Sequence, residues 1–225
     1  MNYFAHYYFD HKKDNPYYNA GLVLPDFARS AAGNKHINTT LEHSNDTNPD
    51  FFNLNEGSKQ HYATDGFFHN TPFFSHCTHF IEDLFVKHHF PKDGQRFWFL
   101  SHILFELILD RVLIQQHPQK LGDFYTDLRH CSLKTVVDFL ALSGKDGSDR
   151  FTKFWNGFLE AQYLQYYLVD EKLLYSLNRV VTRAKQPELN EAQSLAFIPV
   201  VHGAEKEIAA QLPTLQKEIE AFRRK

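Results

Sequence analysis

Residues 95–116, QRFWFLSHILFELILDRVLIQQ, carry the strongest helical pattern in the chain. Large apolar side chains recur every three or four positions, at Phe97, Leu100, Leu104, Leu107 and Ile108. This spacing places them on one face of an α-helix, which predicts a helix packed against a hydrophobic core. A Pro-Lys-Asp-Gly turn at 91–94 precedes the stretch, and Pro118 follows it. Both signals limit the predicted helix to these residues.

Helical signals continue on both sides of this stretch. Thr71-Pro72 pairs a preferred N-cap with proline at the first helical position, which predicts a helix to about residue 89. Asn15-Pro16 starts an element that extends to about residue 32, and Pro25 is expected to kink or break it. Residues 2–10 fit a helix or a strand equally well. Further helices are predicted at 51–70, 122–143, 149–168 and 170–185, and a last one from Pro213. No convincing alternating strand pattern is present, so the predicted class is all-α.

The length of 225 residues fits a single domain that buries a sizeable core without disulfides or metals. We predict one helical domain over 1–225, with a core over about 1–185 and a C-terminal helical tail over about 187–225. The 22 Phe and 11 Tyr residues are expected in the core or around a pocket. Residues 33–50 are rich in Asn, Thr, Ser and Asp and predict a long polar loop.

The formal net charge of −3 and the lack of a dense Lys/Arg run argue against a non-specific nucleic-acid binder. No apolar stretch reaches about 18 residues, so no membrane span is expected. The first residues lack the pattern of a signal peptide, so a cytoplasmic location is expected. Cys77 and Cys131 are far apart in the sequence and are expected to be buried free thiols in a reducing compartment.

His61 and Asp65 are four residues apart, so on a helix they share one face. A metal ion or a proton-transfer pair needs that convergence, and His69 extends the row by another turn. The alternative is a surface row or a plain imidazole–carboxylate bond. The spacing alone leaves both interpretations open.

His102, Glu106 and Asp110 form a second row with the same spacing, inside the most apolar helix. Charged groups there are unfavourable unless they are paired or bound to a ligand. A structural salt bridge, for example with Arg111, is the alternative to a functional role.

Two further residues are weaker candidates when they are considered alone. Asp26 follows Pro25 in an apolar segment and would also serve as a helix cap, and His6 fits a buried histidine with its hydrogen bonds satisfied. The sequence contains no Gly-rich phosphate loop, no Gly-x-Ser-x-Gly elbow and no Cys-x-x-Cys pair. The remaining His and Asp pattern favours metal-assisted hydrolysis.

Five short segments, in order along the chain, resemble motifs of the bacterial acyl carrier protein phosphodiesterases. They are Met1-Asn-Tyr-Phe-Ala-His6, Gly21-Leu-Val-Leu-Pro-Asp-Phe-Ala-Arg29, Gly57-x3-His61-x3-Asp65 with Pro72 in register, Phe99-Leu-Ser-His102 and Leu177-Asn-x4-Arg183. The resemblance implies an all-helical fold distantly akin to HD-domain phosphohydrolases. It also implies a divalent metal, typically Mn²⁺ or Mg²⁺. The implied reaction is hydrolysis of the phosphodiester that joins 4′-phosphopantetheine to a serine of acyl carrier protein.

By matched position, the resemblance assigns metal-binding or catalytic roles to a group of four residues and a supporting role to His6. The four are Asp26, His61, Asp65 and His102. Arg29 is then a candidate for binding a phosphate oxygen, and His69 or Glu106 for moving a proton.

Three positions depart from the pattern of that family. Phe68-His69 stands where the family has Thr-Asp, Ser101 where it has Asp, and Leu22 where it has Asn. An imidazole at His69 shifts the expected metal toward zinc, nickel or iron, and Glu106 and Asp110 are candidate replacement carboxylates. Two alternatives stay open. One is a catalytically degenerate helical binding protein that kept the fold, and the other is an HD-type phosphohydrolase acting on another phosphoester.

Overall fold

The structure, a computed structural model, describes residues 1–33, 39–41, 48–142 and 148–224. In these ranges the chain forms α-helices and one short 3₁₀ helix, with no β-strand, which confirms the all-α prediction. The helices are α1 Tyr3–Asp10, α2 Pro16–Gly21, α3 Leu24–Ala31, α4 Pro49–Phe68, α5 Pro72–Lys87, α6 Phe97–Gln116, α7 Pro118–His130, α8 Leu133–Leu142, α9 Ser148–Ala161, the 3₁₀ helix Tyr163–Leu168, α10 Asp170–Arg183 and α11 Glu191–Arg223. No helix in the described ranges is long and apolar enough to cross a membrane. Most of the predicted loop at 33–50 lies outside the described residues.

The predicted helix starts are confirmed by their capping contacts. The side chains of Asn15 and Thr71 accept hydrogen bonds from the backbone N–H groups of Tyr18 and Phe74, and proline follows each cap. The predicted break near Pro25 falls slightly earlier, because α2 ends at Gly21 and α3 begins at Leu24. Local capping chemistry therefore fixes these boundaries.

Three boundary predictions are wrong. The segment 122–143 forms two helices rather than one, and the first of them already begins at Pro118. The segment 149–168 is also divided, into α9 Ser148–Ala161 and the 3₁₀ helix Tyr163–Leu168. The last helix does not start at Pro213, because α11 is continuous through Pro199 and Pro213. Each internal proline costs about 3 kcal/mol. The buried face of α11 outweighs this, at about 1.5–3 kcal/mol for each large apolar side chain. That face comprises Phe197, Val200, Val201, Ala204, Ile208, Leu212, Leu215 and Ile219.

The chain divides into two compact units. Unit 1 consists of Met1–Asn2, Gly66–Gln116 and Leu164–Lys225. In it α11 packs against α5 and α6, and α10 packs against α6 and α11. The C-terminal helix, expected as a tail, is therefore part of the packed body of unit 1. A single domain over the whole chain stays a prediction.

Unit 2 consists of Tyr3–Asp65 and His117–Tyr163. Here α2 packs on α7, and α3 and α8 both pack on α9. Phe27 is fully buried at the centre of an aromatic cluster. Its ring contacts those of Tyr3, Phe154, Trp155 and Phe158. These contacts anchor α3, which carries Asp26 and Arg29.

Both cysteines are buried free thiols, as the sequence predicts. Burial raises the pKa of Cys77 and of Cys131 to about 12, so neither is a thiolate at neutral pH. We expect the native protein at pH 8 to react with Ellman's reagent more than about a hundredfold slower than the chain unfolded in guanidinium. Stoichiometric labelling of either cysteine in the native state within minutes would contradict this burial.

Candidate functional site

Unit 2 contains a group of three side chains that could hold a metal ion. His6 on α1, Asp26 on α3 and His61 on α4 each place one ligand atom within 4.8 Å of the other two. His6 is 0% and His61 4% exposed, whereas Asp26 is partly exposed. Two nitrogens and one oxygen converge at the edge of a buried region.

A glycine pair lets α2 and α4 approach closely enough to form this group. A Cβ added to Gly21 would lie 2.9 Å from the Cα of Gly57, and a Cβ on Gly57 would lie 2.9 Å from the Cα of Gly21. Real Cβ contacts are almost never that short, so neither position accepts a larger residue without movement of backbone. Gly57 lies one helical turn before His61, and Gly21 directly precedes Leu22. The close crossing therefore brings the His61 ring to the backbone of Leu22.

His61 is fixed in one tautomer by that backbone. Its Nδ1–H donates to the Leu22 carbonyl oxygen at 2.7 Å, so Nε2 carries the lone pair. Burial lowers the pKa of His61 to about 4 and outweighs the Asp65 carboxylate and the Leu22 hydrogen bond, which act to raise it. The ring is therefore neutral at pH 7, the state in which imidazole binds metals. The contact uses the backbone carbonyl of Leu22, so it does not depend on the side chain at this position.

His6 is fully buried, and neither of its ring nitrogens has a hydrogen-bond partner. Its ring stacks on His61 with the centroids 3.8 Å apart. Burial first, and His61 second, lower the pKa of His6 to about 4, so it too is neutral. A buried imidazole without hydrogen bonds is unfavourable by about 1–3 kcal/mol unless a ligand meets it. The resemblance assigns His6 only a supporting role, and the position of His6 also fits a metal ligand.

Asp65 and Arg29 lie beside this group. Asp65 Oδ1 is 3.7 Å from Nε2 of His6, and the Asp65 side chain is 33% exposed. Arg29 is exposed and follows Asp26 by three residues on α3. A carboxylate and a guanidinium in unit 2 are thus accessible to solvent near the three ligand atoms.

Unit 1 contains a second group that could hold a metal ion, formed by His69, His102 and Glu106. His69 Nε2 lies 3.1 Å from His102 Nε2, and Glu106 Oε1 lies 3.2 Å from each of these nitrogens. His102 and Glu106 are one turn apart on α6, as their spacing predicts. His69 does not extend the helical row of His61, because α4 ends at Phe68 and His69 lies in the following turn.

Glu106 is held as a carboxylate. Burial alone would raise its pKa, but the Met1 amino group and the imidazoles of His102 and His69 outweigh burial and hold the pKa well below its usual value. The Met1 nitrogen lies 3.2 Å from Glu106 Oε1. Asp110 is fully buried one turn further along α6 and is not one of the three ligands of this group.

The two remaining departures from the family pattern have structural explanations. Ser101 is buried, and its hydroxyl donates to Glu82 on α5 and to the Trp98 carbonyl. Phe68 is buried and stacks on Phe105 with an interplanar angle of 6°. Both side chains therefore pack unit 1 together instead of supplying ligands.

Arg111, considered as a salt-bridge partner for the α6 row, pairs with two carboxylates outside that row. Arg111 pairs with Asp170 at 2.6 Å and with Glu205 at 3.0 Å. Glu106 instead contacts the imidazoles of His69 and His102 and the Met1 amino group. The ligand groups thus divide as His6, Asp26 and His61 in unit 2, and His69, His102 and Glu106 in unit 1.

Comparison of the chain with protein-family models, with curated proteins and with solved structures gave no match.

Proposed function

We propose that this chain is a metal-dependent phosphodiester hydrolase of the acyl carrier protein phosphodiesterase type, with its metal bound by His6, Asp26 and His61. The observation that carries the proposal is the fully buried His6, whose nitrogens have no hydrogen-bond partner while they face a neutral His61 and a carboxylate. The proposed substrate is the phosphodiester between 4′-phosphopantetheine and a serine of acyl carrier protein. That substrate rests on the short motifs from Met1 to Arg183.

The donor set fits a divalent ion. His61 presents Nε2 because Nδ1 is held by Leu22, and His6 is neutral and stacked in a fixed orientation. Two imidazoles with one carboxylate suit Mn²⁺, Fe²⁺ or Zn²⁺ better than Mg²⁺. When bound, such an ion supplies Lewis-acid stabilisation of the phosphoryl group and acidifies water.

The neighbouring charged residues complete the proposed chemistry. Arg29, exposed on α3, binds a non-bridging phosphate oxygen and neutralises its charge. Asp65, partly exposed beside His6, accepts a proton from the attacking water and returns it to the serine oxygen as the bond between phosphorus and that oxygen breaks. Both groups reach solvent, so a bulky protein-linked substrate is able to approach them.

The direct test uses chelator-treated protein reloaded with Mn²⁺, Mg²⁺ or Zn²⁺. Release of phosphopantetheine from the carrier protein, and hydrolysis of bis-p-nitrophenyl phosphate, are measured for each metal. We expect turnover that depends on metal and is lost with chelator. No turnover of either substrate with any of the three metals would refute the proposal. Activity confined to phosphomonoesters or cyclic nucleotides would favour an HD-type phosphohydrolase on another phosphoester.

The role of Arg29 makes a separate prediction. Arg29→Ala is expected to lower kcat/KM by about 10–100-fold, because a charge-assisted hydrogen bond contributes about 1.5–3 kcal/mol. Arg29→Lys is expected to restore part of the loss. Arg150→Ala, which removes an exposed arginine on α9 of the same unit, serves as the matched control. Equal kinetics for Arg29→Ala and Arg150→Ala would exclude Arg29 from substrate binding.

A further inference from the structure

We propose that His69, His102 and Glu106 form a separate metal site in unit 1 that selects a transition-metal ion and keeps open coordination positions. This inference goes beyond the proposed function and does not depend on it. It rests on the geometry of the three ligand atoms, on the aromatic rings that hold them and on their partial exposure.

The three ligand atoms already have the separations that one ion imposes. They form a nearly equilateral triangle with sides of 3.1, 3.2 and 3.2 Å. Ligands bound at about 2.1 Å and separated by tetrahedral or octahedral angles lie about 3.0–3.4 Å apart. The separations of the three atoms therefore match those of ligands that lie equally distant from one ion.

In any one protonation state, hydrogen bonds join at most two sides of this triangle. Each imidazole nitrogen carries either one in-plane hydrogen or one lone pair. If both nitrogens are donors to Glu106, two N–H groups face each other at 3.1 Å. If only one is a donor, the lone pair of the other faces the carboxylate oxygen at 3.2 Å. A cation meets the three lone pairs together and removes this conflict.

Aromatic packing within unit 1 fixes both imidazoles. The centroid of the Phe74 ring lies 4.8 Å from the centroid of the His69 ring and 5.0 Å from that of the His102 ring. Phe74 in turn packs on Phe68 and Phe105 at 5.4 and 5.5 Å. Rigid support of this kind holds ligands in place before the metal binds, which reduces the entropy lost on binding.

The ligand types and their exposure indicate the class of ion. Imidazole nitrogens favour zinc, iron, cobalt and nickel, whereas Mg²⁺ and Ca²⁺ prefer oxygen ligands. The His69, His102 and Glu106 side chains are 28%, 33% and 17% exposed. Water or an exchangeable anion therefore reaches the remaining positions, as in catalytic sites with three protein ligands rather than closed structural sites. The Met1 amino group contacts the same Glu106 oxygen, and displacing it reduces the affinity without removing a ligand.

The test measures Co²⁺ bound per chain by elemental analysis, together with the visible absorption of Co²⁺, which reports its coordination. The background variant His61→Asn removes a proposed ligand of the unit 2 site. In this background we expect one Co²⁺ per chain, and we expect His102→Ala to remove it. His79→Ala, which changes an exposed histidine on α5 of unit 1, is the matched control and is expected to keep the ion. An excess of about a hundredfold Mg²⁺ is expected not to displace it.

Glu106→Gln provides a second variant of similar shape, for use if His102→Ala has lost its helical circular-dichroism signal. The inference is overturned if the His61→Asn protein binds no Co²⁺, or if Co²⁺ remains when His102 or Glu106 is replaced. Suppose that His102→Ala loses one ion while the wild type shows no hydrolase activity. That result would support the unit 1 site and refute the proposed function. The metal site in unit 1 and the proposed function can therefore be refuted independently of each other.

Discussion

Replacing His61 with asparagine is expected to leave the fold intact, to remove one bound ion per chain and to lower phosphodiester hydrolysis by about a thousandfold or more. Lewis-acid stabilisation contributes several kcal/mol, and each 1.4 kcal/mol is about a factor of ten in rate. The asparagine amide can take the place of Nδ1–H and donate to the Leu22 carbonyl. Asparagine has no atom that takes the place of Nε2, the proposed metal ligand. The substitution therefore separates the ligand role of His61 from its structural hydrogen bond.

The measurements are metal content, steady-state kinetics and the thermal midpoint. His130→Asn, at an exposed histidine of α7 in the same unit, is the control and is expected to match the wild type in all three. A His61→Asn protein that binds as many ions per chain as the wild type and keeps its activity would show that Nε2 is not a ligand. A wild type that binds no ion in unit 2 would favour the degenerate binding protein.

Replacing Gly57 with alanine is expected to destabilise the protein by about 3 kcal/mol or more, one of the largest effects of adding a single methyl group. The added Cβ would contact the Tyr18 carbonyl and lie 2.9 Å from the Cα of Gly21, and both are backbone atoms. Helices α2 and α4 would have to separate. The thermal midpoint is expected to fall by about 6–12 °C for a chain of this size. Metal affinity in unit 2 is expected to fall as well, because α4 would carry His61 away from Leu22.

Gly66 provides the control on the same helix. Nothing lies within 4 Å of a Cβ added there, so Gly66→Ala is expected to stabilise the protein by about 0.5–1 kcal/mol through helix propensity alone. Loss of stability in Gly57→Ala together with a gain in Gly66→Ala would establish that α2 and α4 cross closely at Gly57. Equal thermal midpoints for Gly57→Ala and Gly66→Ala would show that α2 and α4 do not approach as described.

The sequence identified most residues of the two ligand groups but not their partners. The resemblance grouped His102 with Asp26, His61 and Asp65, and that grouping stays a prediction; within unit 1 the structure shows His102 beside His69 and Glu106. The i, i+4 spacing of His102 and Glu106 was sufficient to predict that they meet. The third member was not predictable from spacing, because His69 lies in the turn after α4 and its ring is positioned by Phe74. His6 was underestimated because its burial and its unpaired nitrogens are invisible in the sequence.

The helical class and several helix starts follow from local sequence signals, since capping residues, prolines and apolar periodicity act within a few neighbouring residues. Short motifs also identify Asp26, His61 and Asp65 as candidate site residues. The continuation of α11 through Pro199 and Pro213 depends instead on tertiary packing, because burial against α5 and α6 outweighs local propensity. Only the tertiary structure brought Leu22 to His61, and His69 to the α6 row. Such contacts depend on how closely helices approach, which is set by glycine crossings and aromatic packing between residues distant in the chain.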